Sequence, residues 1–275
     1  MPELPEVEVI RRGVEPHVVG RSVAAVAYSG RKLRLPVPRK GLQQLVKGHC
    51  FTGVERRGKY LLFFLDSGAV MVIHLGMTGR LGLFQKQTAT MKHDHLRLLL
   101  DNDMELRFND ARRFGSVQLF ASGAQLESFL APLGPEPFSR HFSAAYLQGK
   151  ADRKSQPVKN FLMDTRVVVG IGNIYASEIL YAAKIEPHTA VNRIKPVAWQ
   201  RIVKETRRIL NRAIDQGGTT IINFVQFSGN SGYFQNELLV YGRDDQPCPR
   251  CRKTIQRSVL AGRATFFCPH CQRQK

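Results

Sequence analysis

The chain opens Met1-Pro2-Glu3-Leu4-Pro5-Glu6, and its second residue is small enough for aminopeptidases to remove the methionine before it. That trimming exposes the secondary amine of Pro2. An α-amine titrates near ~7.7–8.0, so a useful fraction is neutral and nucleophilic at physiological pH. Attack by such an amine on a sugar C1′ yields a charged iminium, which acidifies the C2′ proton and favours elimination. Glu3 and Glu6 stand close enough in sequence to move the protons required. The competing reading is local: Pro2 and Pro5 also suit the first turn of a helix and need do nothing more.

A second constellation lies at the other end. Cys248, Cys251, Cys268 and Cys271 are spaced C-x2-C-x16-C-x2-C, within the window for a four-cysteine zinc ribbon. Each pair puts two thiolates on one tight turn, and two such turns close a tetrahedron around one structural Zn2+. Two disulfides are the alternative, disfavoured in a reducing cytosol. Cys50, alone in an apolar stretch, reads as a buried bystander.

Charge narrows the partner. The 275 residues hold 41 Lys and Arg against 22 Asp and Glu, a formal +19, with an isoelectric point near 10.2. Such an excess repels itself, and a polyanion is its usual complement. An anionic membrane is the other candidate, but no segment combines a cationic face with a continuous aromatic one. The apolar runs are far short of the roughly 20 residues that span a bilayer, and the acidic start is the reverse of a signal peptide. These features predict a soluble, cytosolic protein.

The elements that must position these groups follow from periodicity. Val7, Ile10, Val14 and Val18 recur at helical spacing over the first 20 residues, with Gly20 as a stop. Short apolar runs over 59–65, 69–75, 95–100, 104–108 and 115–120, separated by turn residues, predict strands of a β-sandwich or barrel. Three prolines and a glycine mark a linker at 131–140. Helical patterns follow over 157–165, 174–184 and 196–216. Gly170-Ile171-Gly172-Asn173 lacks the third glycine of a dinucleotide fingerprint. A helix–two-turn–helix fits better, with Asn173 capping a helix whose amino end holds a phosphate and Lys159 reaching the same backbone; a plain cap without ligand remains open. Gly262-Arg263 falls midway in the ribbon, where a hairpin tip presents a guanidinium to phosphate or merely to solvent.

Pro-Glu-Leu-Pro-Glu-Val-Glu at 2–8, Gly58-Lys59-Tyr60, His74-Leu75-Gly76-Met77, Lys92-His93-Asp94-His95, the 110–115 and 170–178 segments and the ribbon occur in one order along the chain. Together they resemble the formamidopyrimidine-DNA glycosylases, relatives of the endonuclease VIII-like enzymes. The resemblance implies an α+β chain: an N-terminal helix plus a two-sheet β-sandwich domain (1–130), the linker, a helix–two-turn–helix domain with a lesion-recognition loop (141–234), and a C-terminal zinc finger (235–275). It implies a bifunctional glycosylase and AP lyase of base excision repair, acting on oxidised purines in double-stranded DNA as a monomer. Pro2 then forms the Schiff base and Glu3 donates a proton. Lys59 assists excision and β-elimination, and Arg263 δ-elimination. Met77, Arg112 and Phe114 fill the gap left by the flipped nucleotide, although on composition a Met and a Phe are ordinary core residues. His93, Lys159 and Asn173 contact the DNA backbone; Lys154, with Arg153, matches the pattern less cleanly. The 227–234 loop, bearing Ser228, Gly229, Ser231 and Gly232, reads the base.

Two rival readings remain. One is a non-catalytic nucleic-acid-binding protein gripping the backbone with its ribbon and basic face, which would have no need of a proline amine. The other is an endonuclease VIII-like specificity for oxidised pyrimidines.

Overall fold

The computed structural model describes residues 2–218 and 233–273. The chain forms two units, Met1–Pro132 with Gly217–Gly232, and Leu133–Gln216 with Tyr233–Lys275.

The first unit begins with helix α1, Leu4–Val18. The apolar stripe read from the sequence is its buried face, with Val7, Val14 and Val18 fully covered. Glu6 reaches back to accept the Glu3 amide at 2.9 Å, one half of a capping box. Strand β1 (Val23–Tyr28) and helix α2 (Arg39–Leu45) follow, then seven strands: β2 (Phe51–Arg57), β3 (Tyr60–Leu65), β4 (Val70–His74), β5 (Arg80–Gln85), β6 (Asp94–Leu100), β7 (Met104–Asn109) and β8 (Ser116–Phe120). They form two antiparallel four-stranded sheets, ordered β1-β6-β7-β5 and β2-β3-β4-β8.

One core joins the sheets and α1. Leu61, Phe63, Met71 and Ile73 of one sheet belong to the same buried cluster as Leu83, Leu96, Leu98 and Leu106 of the other. The spacing of two along each strand places these side chains on one face. On the opposite face, Leu62, Val70 and Val72 are covered by Leu126 of helix α3, Gly123–Leu130. Burial on both faces explains why β3 and β4 read as continuous apolar runs rather than alternating ones.

The second unit is helical: α4 (Ala144–Ala151), α5 (Val158–Met163), α6 (Asn173–Ala183) and α7 (Pro196–Asp215). Eight of the eleven α6 residues are buried, so this helix is enclosed all round. Helix α7 is amphipathic, burying Trp199, Ile202, Val203, Thr206, Ile209, Leu210 and Ala213 at helical spacing. A hairpin of β9 (Gln256–Leu260) and β10 (Arg263–Phe267) lies between the two cysteine pairs. Its two-residue turn, Ala261-Gly262, has positive φ at both positions (47° and 73°), as such tight hairpins require. The expected α+β architecture is therefore present, with the helix, the paired sheets, the helical region and the cysteine ribbon in the expected order. Elements that the sequence reading passed over are β1, β2, β5, α2, α3 and α4.

Candidate active site and nucleic-acid interface

Pro2 is buried and stands just ahead of α1, with Glu3 at its N-cap and only 1% exposed. Lys59 occupies the two-residue β2–β3 turn, whose Gly58 has φ of 58°. Arg56 ties the two places together. Its Nε donates to Glu8 of α1 at 3.0 Å, and its Nη1 donates to the Gly58 carbonyl at 3.1 Å. One guanidinium thus fixes the turn that carries Lys59 against the helix that begins at Glu3. Burial opposes ionisation of Glu8, but hydrogen bonds from Arg11, Arg12 and Arg56 outweigh it and hold its pKa below the ordinary carboxylate range.

His74, at the end of β4, lies between Lys59 and the next loop. Burial, the charge of Lys59 and that of Arg34 push its pKa down to about 4. The ring is therefore neutral near pH 7. Its Nδ1 accepts the Gly76 amide at 3.1 Å, which leaves the proton on Nε2.

Met77 follows on that loop, 41% exposed, and Phe114 is 47% exposed. Arg112 stacks over the Phe114 ring at 4.6 Å. Neither apolar side chain is a core residue; both stand in solvent on neighbouring loops. The loops are pinned by Asp110, which is fully buried. Its carboxylate accepts from the Thr78 hydroxyl, from the Arg112 amide at 3.3 Å and from the Gly115 amide at 2.8 Å. Gly76 packs directly against this arrangement. A Cβ there would lie 2.5 Å from both the Gly115 nitrogen and the Phe114 carbonyl carbon, and φ is 65°, so only glycine fits. His93, half-buried with φ of 76°, joins the same cluster through its carbonyl, which accepts the Asp110 amide at 3.1 Å.

In the second unit the expected helix cap shifts by one residue. Asn173 is the first residue of α6 rather than its cap; Gly172 holds the cap position, and the Asn173 Nδ2 donates to the Ala264 carbonyl at 3.0 Å. Lys159 is 1% exposed, and its ammonium donates to the same Ala264 carbonyl at 2.9 Å and to Thr265 Oγ1 at 2.8 Å. Two donors from α5 and α6 thus grip β10 one residue from Arg263, which is exposed beside the hairpin turn. The 227–232 part of the proposed reading loop lies outside the described residues. Phe234, at its end, is buried with its ring 5.9 Å from that of Tyr175 on α6. Arg153 and Lys154 are exposed, and the Lys154 ammonium sits 5.8 Å from the Phe161 ring of α5.

The ribbon thiols converge. The four sulfurs of Cys248, Cys251, Cys268 and Cys271 lie within 4.8 Å of one another, with Cys251–Cys268 at 3.5 Å and Cys248–Cys271 at 3.9 Å. A tetrahedral site with Zn–S bonds near ~2.3 Å needs sulfurs about 3.8 Å apart. Far longer than a disulfide, these separations fit one structural zinc. Cys50 is half-buried rather than buried, its thiol 3.6 Å from the Phe51 carbonyl.

Known proteins match this chain along its length. The formamidopyrimidine-DNA glycosylase N-terminal domain matches residues 1–117, its H2TH domain residues 133–225, and the zinc finger found in FPG and IleRS residues 245–274. A formamidopyrimidine-DNA glycosylase of Legionella pneumophila is 46% identical over 99% of this chain and 98% of its own. The chain belongs to the formamidopyrimidine-DNA glycosylase family. One from Syntrophotalea carbinolica is 44% identical over 99% of this chain and 100% of its own. A Lactococcus lactis FPG variant bound to Fapy-dG containing DNA superposes with a TM-score of 0.90 at 34% identity, covering 99% of this chain and 100% of that one. A MutM protein in complex with carbocyclic 8-oxo-G containing DNA gives 0.91, again at 34% identity, 99% and 100% coverage. This glycosylase is thus an enzyme of base excision repair with the AP lyase activity of its family. No helix among its described residues is long and apolar enough to cross a membrane. Arg56 and Thr78 gave no signal in the sequence, because Glu8 and Asp110 lie 48 and 32 residues from them; His74 and Asp110 fell within the motifs of the resemblance, with no role of their own.

Proposed function

We propose that this glycosylase excises oxidised purines, 8-oxoguanine and formamidopyrimidines, from duplex DNA with Pro2 as the nucleophile. With Met1 removed, the Pro2 nitrogen attacks C1′ as the bond to the base breaks, and Glu3 supplies a proton. The sugar ring opens and an iminium joins C1′ to nitrogen. Loss of the C2′ proton then expels the 3′ phosphate in β-elimination, with Lys59 beside the reacting sugar. A second elimination expels the 5′ phosphate, with Arg263 at that oxygen. The observation that carries this reading is the Glu8–Arg56–Gly58 clamp, which fixes the Lys59 turn to the helix beginning at Glu3.

Base flipping requires something to fill the emptied stack. Met77 and Phe114, apolar yet exposed, suit that place, and Arg112 suits the orphaned opposite base. His93, Lys154, Lys159 and Asn173 are assigned to the DNA backbone side. For Lys159 and Asn173 that assignment acts through β10, because they donate to Ala264 and Thr265. The parts act as a catalytic domain over 1–130, a linker over 131–140, a helix–two-turn–helix domain over 141–234 and a zinc finger over 235–275. The protein works as a monomer in the cytosol.

A second reading has one observation behind it: a Lactococcus lactis relative, 34% identical, is known in complex with an oxidised pyrimidine containing DNA. Single-turnover excision from duplexes carrying 8-oxoguanine, a formamidopyrimidine or thymine glycol decides between them. The proposal expects the two purine lesions to be cut fastest. Faster release of thymine glycol would transfer the enzyme to the pyrimidine class.

A further inference from the structure

A cavity of about 690 Å3 opens within the second unit, walled by the end of α6, the 185–195 connection, the start of α7 and the two cysteine knuckles of the ribbon. That volume lies within the roughly 300–1,000 Å3 typical of ligand pockets. Six cations line it: Lys184, Arg193, Lys195, Arg201, Arg250 and Arg273. Among the described residues, none of the six pairs with a carboxylate. The acid on the wall, Glu186, is already engaged by the His188 ring, the His188 amide and the Thr189 hydroxyl. Arg250 is held in place, its guanidinium 4.5 Å above the Tyr181 ring and donating to the Tyr181 carbonyl at 3.2 Å. Helix α7 begins here with no side-chain cap and no acidic residue in its first turn, so its positive dipole end is uncompensated.

The cavity is not simply a phosphate site. Ile185, Ile194, Val197 and Ala198 also line it, and Val197 is 56% exposed amid the cations. A nucleic-acid backbone has nothing to place on that apolar surface.

Its location separates it from the candidate DNA-contacting groups. Asn173 starts α6 and Lys184 follows its end, about 16 Å away at 1.5 Å per residue. Arg263 starts β10 and Cys268 follows its end, again about 16 Å at roughly 3.3 Å per residue. DNA held at the Asn173 and Arg263 ends leaves the cavity open.

We propose that this cavity docks an acidic peptide segment of a partner protein, in which carboxylates flank one or two bulky apolar side chains, while the enzyme is bound to DNA. The carboxylates meet the arginine forks, and the apolar side chains cover Val197 and Ile194. This goes beyond the excision reaction and does not depend on which lesion is preferred.

The test uses the full zinc-loaded protein, alone and saturated with a duplex carrying a tetrahydrofuran abasic analogue. The probe is a fluorescein-labelled octapeptide of Asp and Glu containing one Leu and one Phe, followed by anisotropy at about 150 mM salt. The peptide should bind both forms with affinities within about twofold. Replacing its Leu and Phe by Ser should weaken binding about tenfold at unchanged charge. Arg201→Glu and Arg273→Glu should each weaken it at least tenfold while leaving duplex affinity within about twofold. Val197→Ser, a change too mild to threaten the fold, should weaken it several-fold. Equal binding of the serine peptide would reduce the cavity to a non-specific cationic surface. Displacement of the peptide by duplex would make it part of the DNA interface, and unchanged binding by Arg201→Glu and Val197→Ser would place the peptide elsewhere; each result overturns the proposal.

Discussion

At His74 a single ring is kept neutral by burial and by the positive charges of Lys59 and Arg34, its pKa down at about 4. In the unfolded chain the same ring titrates near 6.5, so between these values the folded protein binds fewer protons there. Stability therefore falls as pH drops through that window and is fully present above about 6.5; the shift is worth roughly 3 kcal/mol. His74→Asn keeps an acceptor for the Gly76 amide but removes the titration. Urea midpoints at pH 7 and pH 5 should differ markedly in the parent protein and much less in His74→Asn; equal differences would show that the ring does not titrate as its surroundings require. Residues of this kind divide cleanly into legible and hidden. Pro2, Glu3 and the four cysteines stand out because their chemistry lies in short spacings, whereas Lys59 was legible only through the family resemblance. Arg56 and Thr78 were invisible because Glu8 is 48 residues from the one and Asp110 is 32 from the other, and no local pattern encodes such a partner.

Among the elements, the loops bearing Met77 and Phe114 depend on one buried carboxylate. Asp110→Asn replaces an acceptor facing hydroxyl and amide donors with a donor, at about 1.5–3 kcal/mol for a hydrogen bond to a charged group. Excision from lesion duplexes should fall at least tenfold, while cleavage of a single-stranded abasic oligonucleotide, which needs no wedge, should change little. Equal loss on both substrates would mean that Asp110 only supports the fold. A second element is set by Lys159, whose bonds reach 105 and 106 residues ahead to β10. Lys159→Met should loosen the strand beside Arg263 and raise the ratio of β- to δ-elimination products, with faster zinc release on heating. An unchanged ratio and unchanged zinc retention would assign the lysine to DNA instead. Such pairing also explains which elements could be read. β3 and β4, buried on both faces, are unmistakable apolar runs. β1 is Val-Ala-Ala-Val-Ala-Tyr, half exposed, and β5 carries Gly82 among its apolar residues; neither has a period strong enough to stand out. Asn173 looked like a cap because Asn favours that position, but its amide nitrogen found the Ala264 carbonyl instead.

At the scale of the molecule, the +19 charge fits an enzyme that binds a polyanion, and affinity for duplex should fall steeply with salt. The order of motifs made the α+β architecture and the zinc ribbon readable end to end. How the parts combine in catalysis turns on the nucleophile, and one measurement addresses it directly. Borohydride added during turnover of an 8-oxoguanine duplex reduces an iminium to a stable amine. The enzyme should be trapped covalently on DNA, and mass spectrometry should place the adduct on a peptide beginning at Pro2. An adduct on Lys59 instead, or trapping that survives retention of Met1, would contradict the assignment of the proline nitrogen.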